Sequence, residues 1–187
     1  RPPYTKGIMT SRANHEIRRS HVPDEGARLR PSTVLRGEGS STKKEITAGV
    51  IVFRRTNEGP KFLLLYHRGQ YWNFPKGHVE REERSLDAAI RETSEETGLK
   101  KSDLRVLHGF KEYERFYFKK GKETIFKVVI IYLAETRESR VRISYEHHGY
   151  AWFLYREAQQ IMGRYKENQK VLERAYRFIT HQQKKLI

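Results

Sequence analysis

The sequence predicts a single-domain α/β or α+β sandwich, built from mixed strands and a few helices, and three observations predict it. A chain of 187 residues suffices for one ordinary core with extensions and is too short for two comfortable domains. Runs rich in β-branched and aromatic residues recur between turn signals over residues 47–153. Two segments, 86–97 and 166–186, instead place apolar residues at a helical period.

Taken in order, residues 1–44 contain Pro2, Pro3, Pro23 and Pro31 among several Gly and Ser and show no sustained period, which predicts an extended arm. Strands follow over 47–55 (TAGVIVFRR) and 61–67 (KFLLLYH), separated by the turn signal Asn57-Glu58-Gly59-Pro60. Residues 71–74 make a short aromatic strand. Residues 104–118 and 124–135 form a hairpin around Lys119-Lys120-Gly121-Lys122, and 150–153 adds a further strand. Residues 155–162 look helical. The helix over 166–186 gathers Val171, Leu172, Ala175, Phe178, Ile179 and Leu186 on one broad face. The expected organisation is a basic arm over 1–44, a folded domain over 45–162, and a basic C-terminal helix over 163–187 that packs on the domain or extends it.

The net charge of +15 is unevenly placed. Residues 1–44 carry ten Lys/Arg against four acids, and 163–187 carry seven against two, so the excess sits mainly at the ends. Such flanks attract polyanions, and RNA or a ribonucleoprotein is the expected partner of both ends. No run of eighteen apolar residues occurs, so no membrane partner is expected. The absence of cysteine excludes disulfides and cysteine-ligated zinc and fits an intracellular location. The Arg- and Ser-containing, acid-poor beginning at Arg1 loosely resembles a processed organellar protein. A cytoplasmic or organellar location, mitochondria included, is the expectation.

The chemistry is concentrated in residues 77–99. Ser85 suits an N-cap, Asp87 the positive end of the helix dipole, and Gly98 the C′ position, which predicts a helix over 86–97. At roughly 100° per residue, Leu86, Ala89, Ile90 and Thr93 share one side while Glu92, Glu95 and Glu96 share the adjacent one. Arg91 precedes Glu95 by four and can brace it. Three crowded carboxylates weaken a helix unless a cation relieves them. Their hard oxygens suit Mg²⁺ or Mn²⁺, completed by water and substrate phosphates. Bound ions would neutralise phosphate charge and lower the pKa of an attacking water. Gly77 lies where a tight loop can bring a backbone carbonyl to the metals.

Gly77, Glu83, Arg91, Glu92, Glu95, Glu96, Gly98 and Leu99 reproduce the pattern G-x5-E-x7-R-E-U-x-E-E-x-G-U. This segment resembles the Nudix box, departing only at Thr93, where a bulky aliphatic residue is usual. The resemblance implies an α/β/α sandwich around a mixed β-sheet and a hydrolase acting on phosphoanhydride bonds. It further implies metals held by Glu92, Glu95 and Glu96, with Arg91 orienting a carboxylate and Glu83 in support. Trp72–Glu80, Tyr145–Trp152, Ala48–Arg55 and Phe62–Leu65 are similar to the asymmetrical diadenosine tetraphosphate hydrolases over about 47–162. That subgroup adds water to a dinucleoside tetraphosphate to give a nucleoside triphosphate and a monophosphate.

Further candidates follow. Lys76, beside the metal loop, can hold a phosphate as a point charge, and His78 follows it in the same segment. Glu146 is a candidate extra ligand or base, and His147 or His148 can contact phosphate. Tyr71, Phe116, Tyr117 and Tyr150 can stack on a purine; one of Phe116 and Tyr117 is expected to face the ligand. The Trp-x-Phe-Pro-Lys-Gly segment also resembles mRNA-decapping enzymes, and RNA 5′-pyrophosphohydrolases share the box. Hydrolysis at an RNA 5′ end is therefore the alternative, and an RNA- or ribosome-associated scaffold is a third reading.

Overall fold

In the computed structural model, β1 (Thr42–Thr56) buries Ala48, Val50 and Val52 towards one core and Ile51 and Phe53 towards another. A strand that is apolar on both faces must be covered on both, and this requirement sets the architecture. The structure describes residues 42–184, apart from 69 and 164. β1 begins earlier than the expected run at 47 and takes in the last residues of the expected arm. The rest of that arm, residues 1–41, lies outside the described residues, as does Leu186.

β2 (Gly59–His67), β3 (Tyr71–Asn73), β4 (Lys76–His78), β5 (Arg105–Lys120), β6 (Glu123–Glu135) and β7 (His147–Leu154) complete one mixed sheet, ordered β3-β2-β1-β6-β5. β1 runs parallel to β6 from Thr42↔Thr124 to Phe53↔Glu135. Its other edge is shared. β2 pairs antiparallel with Phe53–Thr56, whereas β4 pairs with Thr47, Ala48 and Gly49. β1 and β2 thus part company, and Lys76-Gly77-His78 enters the sheet in the gap. β7 covers the other edge of β2, and β5 and β6 form the expected hairpin. β4 went unforeseen in the sequence because three residues carry no alternation.

α1 (Ser85–Thr97) covers one face of the sheet through Ala88, Ala89 and Ile90, packed with Val50, Val52, Leu63 and Leu65. α2 (Tyr155–Ile161) and α3 (Lys166–Lys184) cover the other. Ala158, Val171, Leu172, Ala175 and Ile179 there join Ile51, Phe53, Phe62 and Leu64. The result is the three-layer α/β/α sandwich. One capping expectation fails: Arg84, not Ser85, is the N-cap, and it makes no side-chain cap. The Ser85 hydroxyl instead pairs with the Tyr132 hydroxyl at 2.8 Å, a tertiary partner that displaces the local one. At the other end Gly98 adopts φ 70°, and its N–H donates to the Ser94 carbonyl. Among the described residues, no helix is long and apolar enough to cross a membrane.

Candidate active site

α1 turns its apolar side to the sheet and so fixes where its charges point. Thr93 is fully buried on the packing side, and its hydroxyl donates to the Ala89 carbonyl at 2.7 Å. This explains how a hydroxyl stands there: the residue satisfies itself within the helix and leaves the carboxylate side untouched.

Arg91 is the hub of that side. Its Nε and Nη2 grip Glu83 with two bonds of 3.0 Å, its Nη1 donates to Glu92 at 2.9 Å, and its Nη2 donates to the His78 carbonyl at 3.0 Å. Glu95, more exposed, lies 3.4 Å from Nη1. The bonds from Arg91 hold the Glu83 carboxyl below its usual range, and the Glu83 and Glu92 carboxylates raise the guanidinium further. The expected brace to Glu95 is therefore the weakest contact Arg91 makes. Its main grip is on Glu83 and Glu92, a bidentate geometry that only a guanidinium supplies.

Glu92 rests against Gly77, where a Cβ would lie 2.0 Å from its carboxyl carbon. Glu96 is nearly buried and accepts a bond from the Lys76 backbone N–H at 3.0 Å. Burial raises the Glu96 carboxyl to about 7; Lys76 opposes this through its charge and its N–H, while Glu92 and Glu146 push upward. Glu146 reaches that neighbourhood because the returning loop is pinned to the end of α1. Arg142 N–H donates to the Thr97 carbonyl at 2.8 Å, and Ser144 N–H to the Glu96 carbonyl at 3.1 Å. The loop then delivers Glu146 exposed and His147 buried.

His147 Nε2 lies 3.7 Å from Glu96 Oε1, too far for a hydrogen bond, while its Nδ1 meets Ser144 Oγ at 3.1 Å. Its ring stands edge-on to His67 at 4.5 Å. Burial lowers both imidazoles, with Lys76 adding to the effect, and brings His67 to about 3. Both Nε2 atoms are buried without a hydrogen-bond partner among the described residues. His67 was not singled out in the sequence. Its only signal there was a histidine closing an otherwise apolar strand, which periodicity does not flag.

The remaining candidates divide. Lys76 sits centrally, its charge felt at His67, Glu96, Glu114 and His147. His78 is exposed and meets Arg91 through its carbonyl. Tyr71 stacks on His67 at 4.7 Å, and His148 is exposed beside Tyr66. Tyr150, paired with Leu65, packs against the core under α1. Phe116 and Tyr117 emerge on opposite faces of β5. Phe116 packs towards the α3 side, on the face of Glu114, where burial raises the carboxyl and Lys76 acts on it. Tyr117 points away from that group, 55 % exposed and 4.8 Å from the Phe126 ring.

Among the described residues, no three His, Asp or Glu side chains close on one point in their present rotamers. Glu92 is turned to Arg91 and Glu96 to Lys76. The donor set nonetheless fits a hard divalent cation. Glu92, Glu95, Glu96 and Glu146 are acidic oxygens gathered about one helix end, Glu96 is raised partly by its acidic neighbours, and Gly77 leaves room at the Glu92 carboxylate.

The NUDIX domain model matches residues 43–175. The chain is 38 % identical over 141 residues to the asymmetrical bis(5′-nucleosyl)-tetraphosphatase of Mus musculus, covering 70 % of this chain and 92 % of that protein. The crystal structure of a C. elegans Ap4A hydrolase binary complex aligns with a TM-score of 0.65 at 28 % identity, over 73 % of this chain and 98 % of the other. The mRNA-decapping protein g5R of African swine fever virus is 32 % identical over 97 residues, which is 48 % of this chain and 39 % of that one. NUDIX hydrolases generally use divalent metals. With most of its length matched and a sandwich that carries Arg91, Glu92, Glu95 and Glu96 on α1 beside Gly77 of β4, this chain belongs to the NUDIX family.

Proposed function

We propose that the chain hydrolyses a phosphoanhydride bond in a nucleoside polyphosphate, with a dinucleoside tetraphosphate as the preferred substrate. The observation that carries the reading is the juxtaposition of the α1 carboxylates with Gly77 on one side and Glu146 on the other. The relatives named as tetraphosphatases support the substrate class.

In this reading Glu92, Glu95, Glu96 and the Gly77 carbonyl hold Mg²⁺ or Mn²⁺. The bound ions supply charge neutralisation at the phosphates and a lowered pKa for water. Arg91, tied to Glu83 and to the His78 carbonyl, fixes the Glu92 carboxylate. Glu146 accepts the proton of the attacking water. Lys76 holds a phosphate oxygen, His147 orders the same corner, and Phe116, on the α3 side of the sheet, offers apolar surface to a base.

A second reading, hydrolysis at an RNA 5′ end, is favoured by the net charge of +15. A small dinucleotide needs only a few cations at its pocket. A panel assay with Mg²⁺ or Mn²⁺ separates the two by comparing diadenosine tetraphosphate, capped RNA and 5′-triphosphate RNA, with Glu95→Gln as control. The proposal predicts fastest turnover of the dinucleotide and a loss of about a hundredfold or more in the variant. Preferential turnover of an RNA would replace the substrate assignment. RNA binding without turnover of any substrate would favour a scaffold and overturn the enzymatic reading.

A further inference from the structure

On the face of β5 turned away from α3, alternate residues read Lys111, Tyr113, Arg115, Tyr117 and Lys119, and all five are exposed. Tyr113 and Tyr117 are 41 % and 55 % exposed, unusual for rings of this size on a strand. Lys111 Nζ lies 5.3 Å and Arg115 Cζ 4.9 Å from the centroid of the Tyr113 ring, so both cations pack over the ring and hold it in the stripe. Tyr117 is steadied from below by Phe126 on β6. The hairpin tip adds Lys120 and Lys122, both exposed.

The acids of β5 are on the other face. Glu112 pairs with Arg174 of α3 at 2.6 Å, and Glu114 is partly buried on the same side. β5 therefore contributes cations and tyrosines to one face and carboxylates to the other. Lysines on an edge strand guard against edge-to-edge pairing, but that purpose needs neither the tyrosines nor the exclusion of acids from one face.

We infer that this Lys-Tyr-Arg-Tyr-Lys stripe is a docking surface for single-stranded RNA. Alternate residues of a strand stand about 6.8 Å apart, a spacing that an unstacked strand can follow. The tyrosines and the Arg115 plane receive bases while Lys111, Lys119 and the tip meet phosphates. An acidic peptide would use the cations and leave the rings without a role. A duplex would hide the base faces that the rings need. None of these residues belongs to the α1 site or to the basic ends of the sequence, so the inference stands whether or not the chain prefers a dinucleotide.

The test uses the full chain and a fluorescein-labelled twelve-nucleotide RNA of mixed sequence, read by anisotropy across a salt series. Tyr113→Ala/Tyr117→Ala should weaken binding at least tenfold with little change in salt slope. Lys111→Gln/Arg115→Gln/Lys119→Gln should lower the slope by about two. Unchanged thermal melting of both variants confirms that the fold is kept, since all five side chains are exposed. Affinity of the tyrosine variant within twofold of the parent would overturn the inference. So would equal competition by polyglutamate, by the same sequence as a duplex, or by phosphatidylserine vesicles, each of which would mark a general polyanion surface.

Discussion

One missing methyl group lets β4 lie against α1. A Cβ on Gly77 would sit 2.0 Å from both Cδ and Oε2 of Glu92, while a Cβ on Gly49 would meet the Pro75 carbonyl oxygen and Lys76 Cβ at 2.4 Å. Gly77 pairs with Ala48 across the β1–β4 ladder, one residue from Gly49, yet the two glycines guard different things. The Glu92 carboxylate can swing aside, whereas the Pro75 backbone cannot. Gly77→Ala should therefore keep its thermal midpoint within a few degrees and lose tenfold or more in turnover, because Glu92 is displaced from its place. Gly49→Ala should lose about 1–3 kcal/mol in urea unfolding through overpacking. The opposite ranking, with Gly77→Ala the less stable and the more active, would contradict this account. At this scale the sequence told much: the spacing of Glu92, Glu95 and Glu96 placed them on one side of a helix before any fold was known. It did not tell that Glu96 would be buried, since that depends on Lys76 from one segment and the loop ending at Glu146 from another. Nor did it tell which of Phe116 and Tyr117 faces which way, because strand register decides it.

Among the elements, long periodic ones were legible and short or tertiary ones were not. β1, β2, the β5–β6 hairpin and α3 announce themselves by alternation or by a 3.6-residue period. β4 has three residues and exists only because β1 offers it an edge at Thr47–Gly49. Ser85 reads as a cap from its neighbours alone, yet Tyr132, forty-seven residues on, claims its hydroxyl. α3 is the element whose status matters most, since its basic sequence suggested either a tail or a wall of the domain. Leu172 and Ile179 are fully buried, in one core with Phe53 and Phe62 of the sheet. Leu172→Ala should therefore cost about 2–5 kcal/mol in equilibrium urea unfolding. A cost below about 0.5 kcal/mol, the range of surface substitutions, would mean that α3 is an appendage.

Taken whole, the molecule separates its tasks by face and edge. One sheet carries α1 and its carboxylates on one side and α2 with α3 on the other, and it admits β4 where β1 and β2 diverge. The exposed cations of β5 are different residues from the carboxylates of α1, so the inferred binding of RNA and the proposed hydrolysis of a phosphoanhydride need not compete for the same groups. The dependence of the chemistry on α1 is most directly tested by initial rates of diadenosine tetraphosphate hydrolysis along a Mg²⁺ titration, for the parent chain and Glu96→Gln. The parent should be inactive in chelator and rise to saturation with Mg²⁺, yielding a nucleoside triphosphate and a monophosphate, while the variant stays about a hundredfold or more below it at every concentration. Equal rates for the two proteins, or turnover that persists in chelator, would contradict the account.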